Sequence, residues 1–243
     1  MVFELNDWIA EESGIHLGDG EMGIYPNNAG LSYQFGYTGD LYEDRQYLEE
    51  HVIPLVYRAF RNMPSSIERC IEDNYMRLRY YSKDIVLFKR VFLDLPIGRK
   101  VDIAIPRQIV EDKGFLRLCV RGLFDTDGSI YFEKDSHGLY SIPVISISNT
   151  SYGLLKQVSD AAWKFGLSQV MVRATHPGRG RFKRRRTLYD IHYKDLRNFH
   201  SWMRVFGMRN HAKLSKIEMY IRFGECPPGT SHLARLRALC SED

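Results

Sequence analysis

Two stretches far apart in the chain, ESGIHLGDG (residues 12–20) and VRGLFDTDG (residues 120–128), share one pattern. Each is apolar-rich and helical in pattern, contains a glycine, and ends in an acidic residue followed by glycine. Each then continues into an aromatic, strand-like run. The matching acidic residues, Asp19 and Asp127, are 108 positions apart. The repetition indicates an internal duplication, which decides the fold.

The similarity continues beyond the two motifs. Each motif is followed by two strand-like runs, a helical segment, further strand-like sequence and a second helical segment. We therefore predict an α+β fold in which an αββαββα unit occurs twice about a pseudo-twofold axis. The predicted units are residues 1–105 and 106–224, followed by a C-terminal tail, residues 225–243, whose LARLRAL sequence suggests a short helix.

Small residues recur four positions apart in both motifs: Gly14 and Gly18 in the first, Gly122 and Thr126 in the second. Residues at this spacing share one helix face, and small ones allow two helices to approach closely. Pairing the helices would bring Asp19 and Asp127 together at their C-terminal ends. Two crowded carboxylates repel unless one is protonated or a cation lies between them. Mg²⁺ prefers oxygen ligands and binds phosphate, so such a site suits phosphodiester hydrolysis.

The alternative interpretation of either motif alone is a packed amphipathic helix that stops at an Asp-Gly turn. Two copies in the same context favour the functional interpretation. A lysine near the end of each unit adds to it, since Lys100 follows Asp19 by 81 residues and Lys213 follows Asp127 by 86. Two acids and two lysines in matched positions predict one site built about the pseudo-twofold axis.

Composition excludes several other classes of protein. The chain has 243 residues, of which 44% are hydrophobic and 26% charged, which is typical of a globular protein. No apolar run approaches the length of a membrane span, and the acidic N-terminus is unlike a signal peptide. We therefore expect a cytoplasmic protein. The four cysteines are widely spaced and support neither a zinc site nor a disulfide framework.

Charge is divided along the chain. Residues 1–105 contain 11 Lys/Arg and 17 Asp/Glu, whereas residues 106–243 contain 23 and 13. The basic half includes the run GRGRFKRRR (residues 178–186), and its glycines indicate a loop between two strands. Such a loop suggests phosphate contacts with a polyanionic partner. The alternative is a solvated hairpin tip.

The two motifs resemble those of the LAGLIDADG homing endonucleases, specifically the single-chain, two-motif type found in archaea. VRGLFDTDG follows the family pattern closely, whereas the first motif departs from it at His16 and Leu17 but keeps the Gly-Asp-Gly ending. The segments FGYTGDLYEDRQYLEEHVIPLVYRAF, LPIGRKVDIAIP and FGMRNHAKLSK also look like the family. The resemblance covers residues 7–222, nearly the whole chain.

The resemblance implies two four-stranded antiparallel sheets that form a saddle over DNA, with the motif helices at the central interface. It further implies a monomer that uses Mg²⁺, for which Mn²⁺ can substitute, to cut both strands of a long target and leave short 3′ overhangs. By resemblance, Asp19 and Asp127 bind metal together with the preceding residues Gly18 and Thr126. Lys100 and Lys213 would lie near the scissile phosphates.

In such a saddle, alternate residues of each strand face the nucleic acid. The residues that we expect to contact DNA are Glu21, Tyr25, Ser32, Gln34, Arg77 and Arg79 in the first unit, and Ser129, Tyr131, Glu133, Ser146, Ser148, Arg173, Arg181, Lys183 and Arg185 in the second. Arg and Gln side chains can read guanine and adenine edges in the major groove. The alternative is that these are ordinary solvated strand faces.

A protein of another class remains possible on this fold. It would bind nucleic acid without cutting it, as an RNA maturase that assists intron splicing or as a transcriptional regulator. Both acids are present, which favours a catalyst. A nuclease of this type would act on the nucleoid of a prokaryotic or archaeal cell. The target sequence, and whether the protein is intron-encoded or free-standing, stay open.

Overall fold

A computed structural model of the chain describes residues 3–28, 30–168, 170–175 and 187–241. The first unit contains α1 (Asp7–Gly18), β1 (Gly20–Asn27), β2 (Gly30–Asp40), α2 (Arg45–Tyr47), a π-helical turn (Leu48–Val52), α3 (Ile53–Phe60), β3 (Ser66–Cys70), β4 (Tyr75–Tyr81) and α4 (Lys83–Val91). After it come α5 (Arg107–Glu111), α6 (Lys113–Asp127), β5 (Gly128–Lys134), β6 (Tyr140–Asn149), α7 (Tyr152–Lys164), β7 (Val170–Thr175), β8 (Leu188–Lys194), α8 (Leu196–Val205), α9 (His211–Phe223) and α10 (His232–Cys240).

The predicted α+β class and the duplicated αββαββα order are confirmed. The four strands of the first sheet run in the order β1-β2-β4-β3, and those of the second in the order β5-β6-β8-β7. All neighbouring strands that the structure describes are antiparallel. The boundary predicted at residues 105 and 106 falls in the segment between α4 and α5 that is neither helix nor strand.

Local chemistry explains where the two motif helices begin. The Asn6 side chain accepts hydrogen bonds from the backbone N–H groups of Trp8 (3.0 Å) and Ile9 (3.1 Å). The Asp112 carboxylate accepts from the N–H of Phe115 at 2.9 Å. Both bonds satisfy donors that the first turn of a helix leaves unpaired, so the chain starts α1 and α6 at these points.

α1 and α6 pack together at the centre of the molecule with their backbones almost in contact. A Cβ atom at Gly14 would lie 1.9 Å from the Cys119 carbonyl oxygen, and one at Gly122 would lie 2.2 Å from the Glu11 carbonyl oxygen. Because Gly14 and Gly122 are matching positions, the contact is pseudo-symmetric. α1 is consequently buried on every side, and the helix pairing expected from the small residues is present.

Three helices have no counterpart in the predicted repeat: the short α5, which precedes α6, and the later α9 and α10. α9 follows the repeated elements of the second unit, and its first turn contains Lys213. The Asn210 side chain starts α9 by accepting from the Lys213 N–H at 3.2 Å. α10 lies in the predicted tail. Within the described ranges, no helix is both long and apolar enough to cross a membrane.

Candidate active site

The two motif acids lie together where α1 and α6 end. Asp19 directly follows α1 and donates its backbone N–H to the Ile15 carbonyl at 3.0 Å, while Asp127 is the last residue of α6. A Cβ atom at Gly18 would lie 1.9 Å from Thr126 Oγ1 and 3.2 Å from Asp127 Oδ1. The absence of a side chain at Gly18 therefore lets the two helix ends, and the two carboxylates, meet.

Burial and the closeness of the two carboxylates make it unfavourable for both to be ionised at once. Burial raises the pKa of Asp19 to about 7, with the negative charges of Asp127 and Asp44 adding to the effect. Burial also raises the pKa of Asp127, although the Asn149 amide and the two site lysines oppose the rise. Neutral pH is thus close to the point at which Asp19 gives up its proton, and a bound cation would favour the ionised form.

Lys100 and Lys213 occupy matching positions at the two helix ends. The Lys100 ammonium donates to the carbonyl oxygens of His16 (3.2 Å), Leu17 (3.0 Å) and Gly18. The Lys213 ammonium donates to the carbonyl oxygens of Asp125 and Thr126, the latter at 3.5 Å. Helix C-termini carry partial negative charge, so each cation stabilises the end of a motif helix.

The two lysines remain close to the carboxylates. Burial lowers the pKa of both, and the negative charges of Asp19 and Asp127 partly restore it. A cavity of about 180 Å³ beside Lys100 and another of about 220 Å³ beside Lys213 flank the central pair. Two aspartates, two lysines and two lateral cavities therefore lie together at the ends of α1 and α6, in matching positions of the two units.

The structure adds one residue to the site that the sequence pattern did not reveal. Asn149, at the end of β6, donates from Nδ2 to Asp127 Oδ2 at 2.8 Å and lines the cavity beside Lys100. The register of the strands places Gly39 at the matching position of the first unit. The sequence repeat could not point to Asn149, because the first unit has glycine rather than asparagine at the matching position.

A further acidic group supports the second side of the site. Asp125 is buried and accepts from the backbone N–H groups of Arg209 (2.8 Å) and Asn210 (3.1 Å). Burial raises its pKa to about 6. Asn210 also donates to Asp44 Oδ1 at 2.9 Å. This network connects the start of α9, and hence Lys213, to the end of α6.

The donor atoms at the centre suit a hard divalent cation. Two carboxylates lie there, and the Gly18 and Thr126 carbonyl oxygens at the same helix ends accept hydrogen bonds from the lysines. Oxygen is the ligand type that Mg²⁺, Mn²⁺ and Ca²⁺ accept. Across the described residues, no group of three or more His, Cys, Asp and Glu side chains is arranged to hold a metal. A cation would therefore complete its coordination with water or a bound phosphate.

The first sheet brings its six predicted contact residues to one face. Strand register pairs Glu21 with Gly36 and Tyr25 with Ser32, and β4 continues this face. Its members are Glu21, Tyr25, Ser32, Gln34, Arg77 and Arg79. The two arginines form ion pairs with Glu68, at 3.9 Å for Arg77 and 3.3 Å for Arg79. The alternate residues, such as Phe35 and Leu78, are buried in the core.

The second sheet has an equivalent face. Register pairs Ser129 with Ser146, and the same face contains Tyr131, Glu133 and Ser148. This face is partly neutralised by its own contacts. Lys194 pairs with Glu133, and Ser148 donates to Asp190. On β8, His192 shares this face because it pairs with Ser146, whereas Tyr189 lies on the opposite face.

The remaining four predicted contact residues belong to β7 and to the segment that follows it in the chain. The backbone of Arg173 pairs in register with Asp190 on β8. Arg181, Lys183 and Arg185 lie outside the described residues. Their predicted role in binding phosphate therefore rests on sequence alone.

The fold and the site together define a class of protein with two motif helices about a pseudo-twofold axis, each leading into an antiparallel sheet, with paired acids between them. Residues 114–201 match the family model of the LAGLIDADG-like domain. No curated protein sequence matches the chain.

Solved structures with the same fold include three homing endonucleases. I-DmoI in complex with DNA and Mn is 17% identical, with a TM-score of 0.56 over 83% of this chain and 96% of that one. The LAGLIDADG meganuclease I-AabMI bound to uncleaved DNA is 12% identical, with a TM-score of 0.53 over 98% and 99% of the two chains. I-SmaMI bound to cleaved DNA is 14% identical, with a TM-score of 0.54 over 98% and 96%. Residues 114–201 thus match the LAGLIDADG-like domain, and the chain as a whole shares its fold with these three structures.

Proposed function

We propose that this protein is a site-specific endonuclease that hydrolyses both strands of double-stranded DNA with a divalent metal ion. The observation that carries the proposal is the pair Asp19 and Asp127, held together between the two sheets with a lysine on each side. A single chain supplies both sides of the site, so no second copy is needed. Action on DNA inside a prokaryotic or archaeal cell is part of the proposal.

The neighbouring structures support DNA as the substrate. I-AabMI and I-SmaMI were solved with uncleaved and cleaved DNA, respectively. I-DmoI was solved with DNA and Mn or Ca, and a variant of it with DNA in the presence of Mg. In this chain, each motif acid is followed directly by the first strand of a sheet whose polar face contains the expected DNA contacts. Staggered cuts that leave short 3′ overhangs would follow if each side of the site served one strand across the minor groove.

The chain's own residues define how such a reaction would proceed. Asp19 and Asp127 would hold the metal ions, with the Gly18 and Thr126 carbonyls close by. Metal ions in such sites activate water and stabilise the charge that develops on phosphate. Mg²⁺ is the proposed physiological ion, and Mn²⁺ would substitute for it.

Lys100 and Lys213 would act on the two scissile phosphates. Each ammonium is held by carbonyl oxygens, and each lysine lines a lateral cavity in which it would stabilise negative charge on a phosphate or order the attacking water. Their lowered pKa values also favour exchange of a proton with that water. No side chain is required as a nucleophile, so no covalent intermediate is expected.

Recognition of a long target would use the two sheet faces. On the first face, Gln34, Arg77 and Arg79 can donate hydrogen bonds to base edges. For the two arginines this requires that contacts with DNA replace their ion pairs with Glu68. The basic residues of the second unit, including Arg181, Lys183 and Arg185, would contact phosphates. Such contacts add affinity that falls with salt and carry no sequence information.

Cleavage of a randomised duplex library tests the proposal. The purified chain would be incubated with Mg²⁺, Mn²⁺, Ca²⁺ or EDTA, beside the variants D19N and D127N. The exposed Asp94 supplies the matched control D94N, because its side chain is 92% accessible. We expect one staggered cut with Mg²⁺ or Mn²⁺ that D94N retains and that D19N and D127N lose while still binding DNA.

The same experiment separates the second class of function. Tight binding of one sequence without a cut in either Mg²⁺ or Mn²⁺ would contradict the nuclease assignment. The protein would then be a nucleic-acid-binding module on this fold, either an RNA maturase or a transcriptional regulator.

A further inference from the structure

A fully buried polar cluster lies beneath the Lys100 side of the site. Its four members, Glu12, His16, Tyr37 and Lys89, are each at most 1% exposed. The Lys89 ammonium forms an ion pair with Glu12 Oε1 and lies 3.4 Å from His16 Nδ1 and 3.3 Å from the Tyr37 hydroxyl. The Tyr37 hydroxyl also donates to Glu12.

The second unit fills the matching positions with apolar side chains. The motif helices match with an offset of 108 residues, so Val120 and Phe124 replace Glu12 and His16. Ile147 takes the place of Tyr37, because Ile147 pairs with Gly128 in the same way that Tyr37 pairs with the matching Gly20. Trp202 takes the place of Lys89, because each lies seven residues after the N-cap of its helix, Asp195 for α8 and Ser82 for α4. Phe124 and Trp202 pack with their ring centres 4.9 Å apart.

A buried ion pair is costly where an apolar alternative exists. Desolvation of two charges offsets much of their attraction, and replacement by well-packed apolar residues is often neutral or stabilising. Glu12 Oε2 additionally has no hydrogen-bond partner among the described residues. The second unit demonstrates that the same fold accepts apolar residues there, so stability alone does not account for the cluster.

The two site lysines are supported in different ways. Lys213 is in the first turn of α9, whose N-terminal Asn210 is bonded to Asp125 and Asp44. Lys100 lies between α4 and α5 in a segment that is neither helix nor strand. The position of its ammonium therefore depends on the carbonyl oxygens of residues 16–18, which are the last turn of α1.

The buried cluster acts on that turn. Glu12 and His16 are one helical turn apart on α1, and Lys89 connects both to α4. The His16 ring also packs against the backbone where α1 ends, because a Cβ at Gly20 would lie 2.5 Å from His16 Nδ1. We propose that Lys89 and Glu12, with Tyr37 and His16, are positioning residues that fix the end of α1 and thereby place Lys100 for cleavage of one DNA strand.

The inference rests on the proposed nuclease function and predicts an effect confined to one strand. Single-turnover rates would be measured on a target duplex with each strand labelled separately. The variants K100M and K213M first assign each strand to one lysine. The double substitution E12Q with K89M then removes both buried charges with little change in volume.

We expect the double variant to slow cleavage of the K100M-sensitive strand at least 10-fold and to leave the other strand within about twofold. A second variant copies the opposite unit through the substitutions E12V, H16F, Y37I and K89W, and it should show the same strand bias while keeping or raising Tm. W202F is the matched control, since it perturbs the equivalent position without touching the cluster. It should not slow the K100M-sensitive strand selectively.

Equal slowing of both strands, or no change in either, would overturn the positioning role while leaving the nuclease assignment intact. A wild-type chain that cuts neither strand of any target would overturn the proposed function and this inference together. If the fourfold variant does not fold, the strand rates of E12Q/K89M decide the question.

Discussion

Asp19 is the residue whose protonation should govern metal binding. Its raised pKa of about 7 means that a cation must displace a proton below neutral pH. The affinity of the DNA-free protein for Ca²⁺ should therefore rise up to about tenfold per pH unit below pH 7 and level off above it. Isothermal titration calorimetry with Ca²⁺ from pH 5.5 to 8.5 measures this. A flat affinity profile would contradict it.

The stability of the metal-free protein should change in the opposite direction. Because the pKa of Asp19 is higher in the folded state than the ordinary aspartate value of 3.8, the folded state binds more protons between those two values. The stabilisation is fully present below about pH 4 and is lost as pH rises through about 7. D19N should make the Tm of the metal-free protein fall less steeply as pH rises, although Asp125, with a pKa of about 6, continues to contribute to this pH dependence.

Asn149 should matter to the reaction out of proportion to its effect on folding. Its 2.8 Å hydrogen bond supports the ionised form of Asp127, and a bond to a charged group contributes about 1.5–3 kcal/mol. N149A should therefore slow single-turnover cleavage about 10- to 100-fold and move the dependence of the rate on pH to higher pH values. N149D would add a third carboxylate and should shift that pH profile further. Unchanged profiles in both variants would show that Asn149 has no part in the site.

At the scale of secondary-structure elements, the close approach of α1 and α6 should be intolerant of any added atom. A methyl group from G14A would meet the Cys119 carbonyl at 1.9 Å, and this backbone atom cannot move independently of its helix. Overpacking costs about 1–3 kcal/mol or more. Chemical denaturation should show at least that loss. The control G153A, where a Cβ has nothing within 4 Å, should leave the free energy of unfolding unchanged or slightly higher.

The sequence predicted the repeated elements because the fold is duplicated. Two copies of one pattern predicted the helix pair, the strand pairs, the paired acids and the lysines, and alternation along strands predicted the outward faces. What the sequence concealed is what the two units do not share. Asn149 matches a glycine, and Lys89 matches Trp202. α9 was missed because the repeat, which was the basis of the prediction, ends before it.

At the scale of the whole molecule, ionic contacts join the two units. Arg121 on α6 donates to both carboxylate oxygens of Glu11 on α1, at 3.1 and 2.6 Å, and His51 lies 3.0 Å from the same carboxylate. Burial works to raise the pKa of Glu11, but the hydrogen bonds from His51 and Arg121 outweigh it and the pKa is lowered. The alignment of the two acids at the end of the helices therefore depends on contacts between the units.

The C-terminal tail adds a second connection of this kind. Arg235 on α10 is 1% exposed, and it donates to Ser215 Oγ at 2.9 Å and to the Ala212 carbonyl at 3.1 Å, both on α9. Its guanidinium also pairs with Glu43 of the first unit at 3.0 Å. α10 thus braces α9, which contains Lys213, against the segment that follows β2.

Removing this guanidinium should destabilise the whole molecule. R235M leaves Glu43 and two buried acceptors without their donor, a loss of about 2–3 kcal/mol. For a chain of this size that corresponds to a fall in Tm of about 4–12 °C, measured by calorimetry. The control R237M changes an exposed arginine of the same helix and should leave Tm within about 1 °C. If R235M and R237M have the same Tm, α10 does not contribute to the stability of the molecule through Arg235. If R235M melts early and also slows cleavage at the K213M-sensitive strand, the tail belongs to the machinery that holds α9 in place.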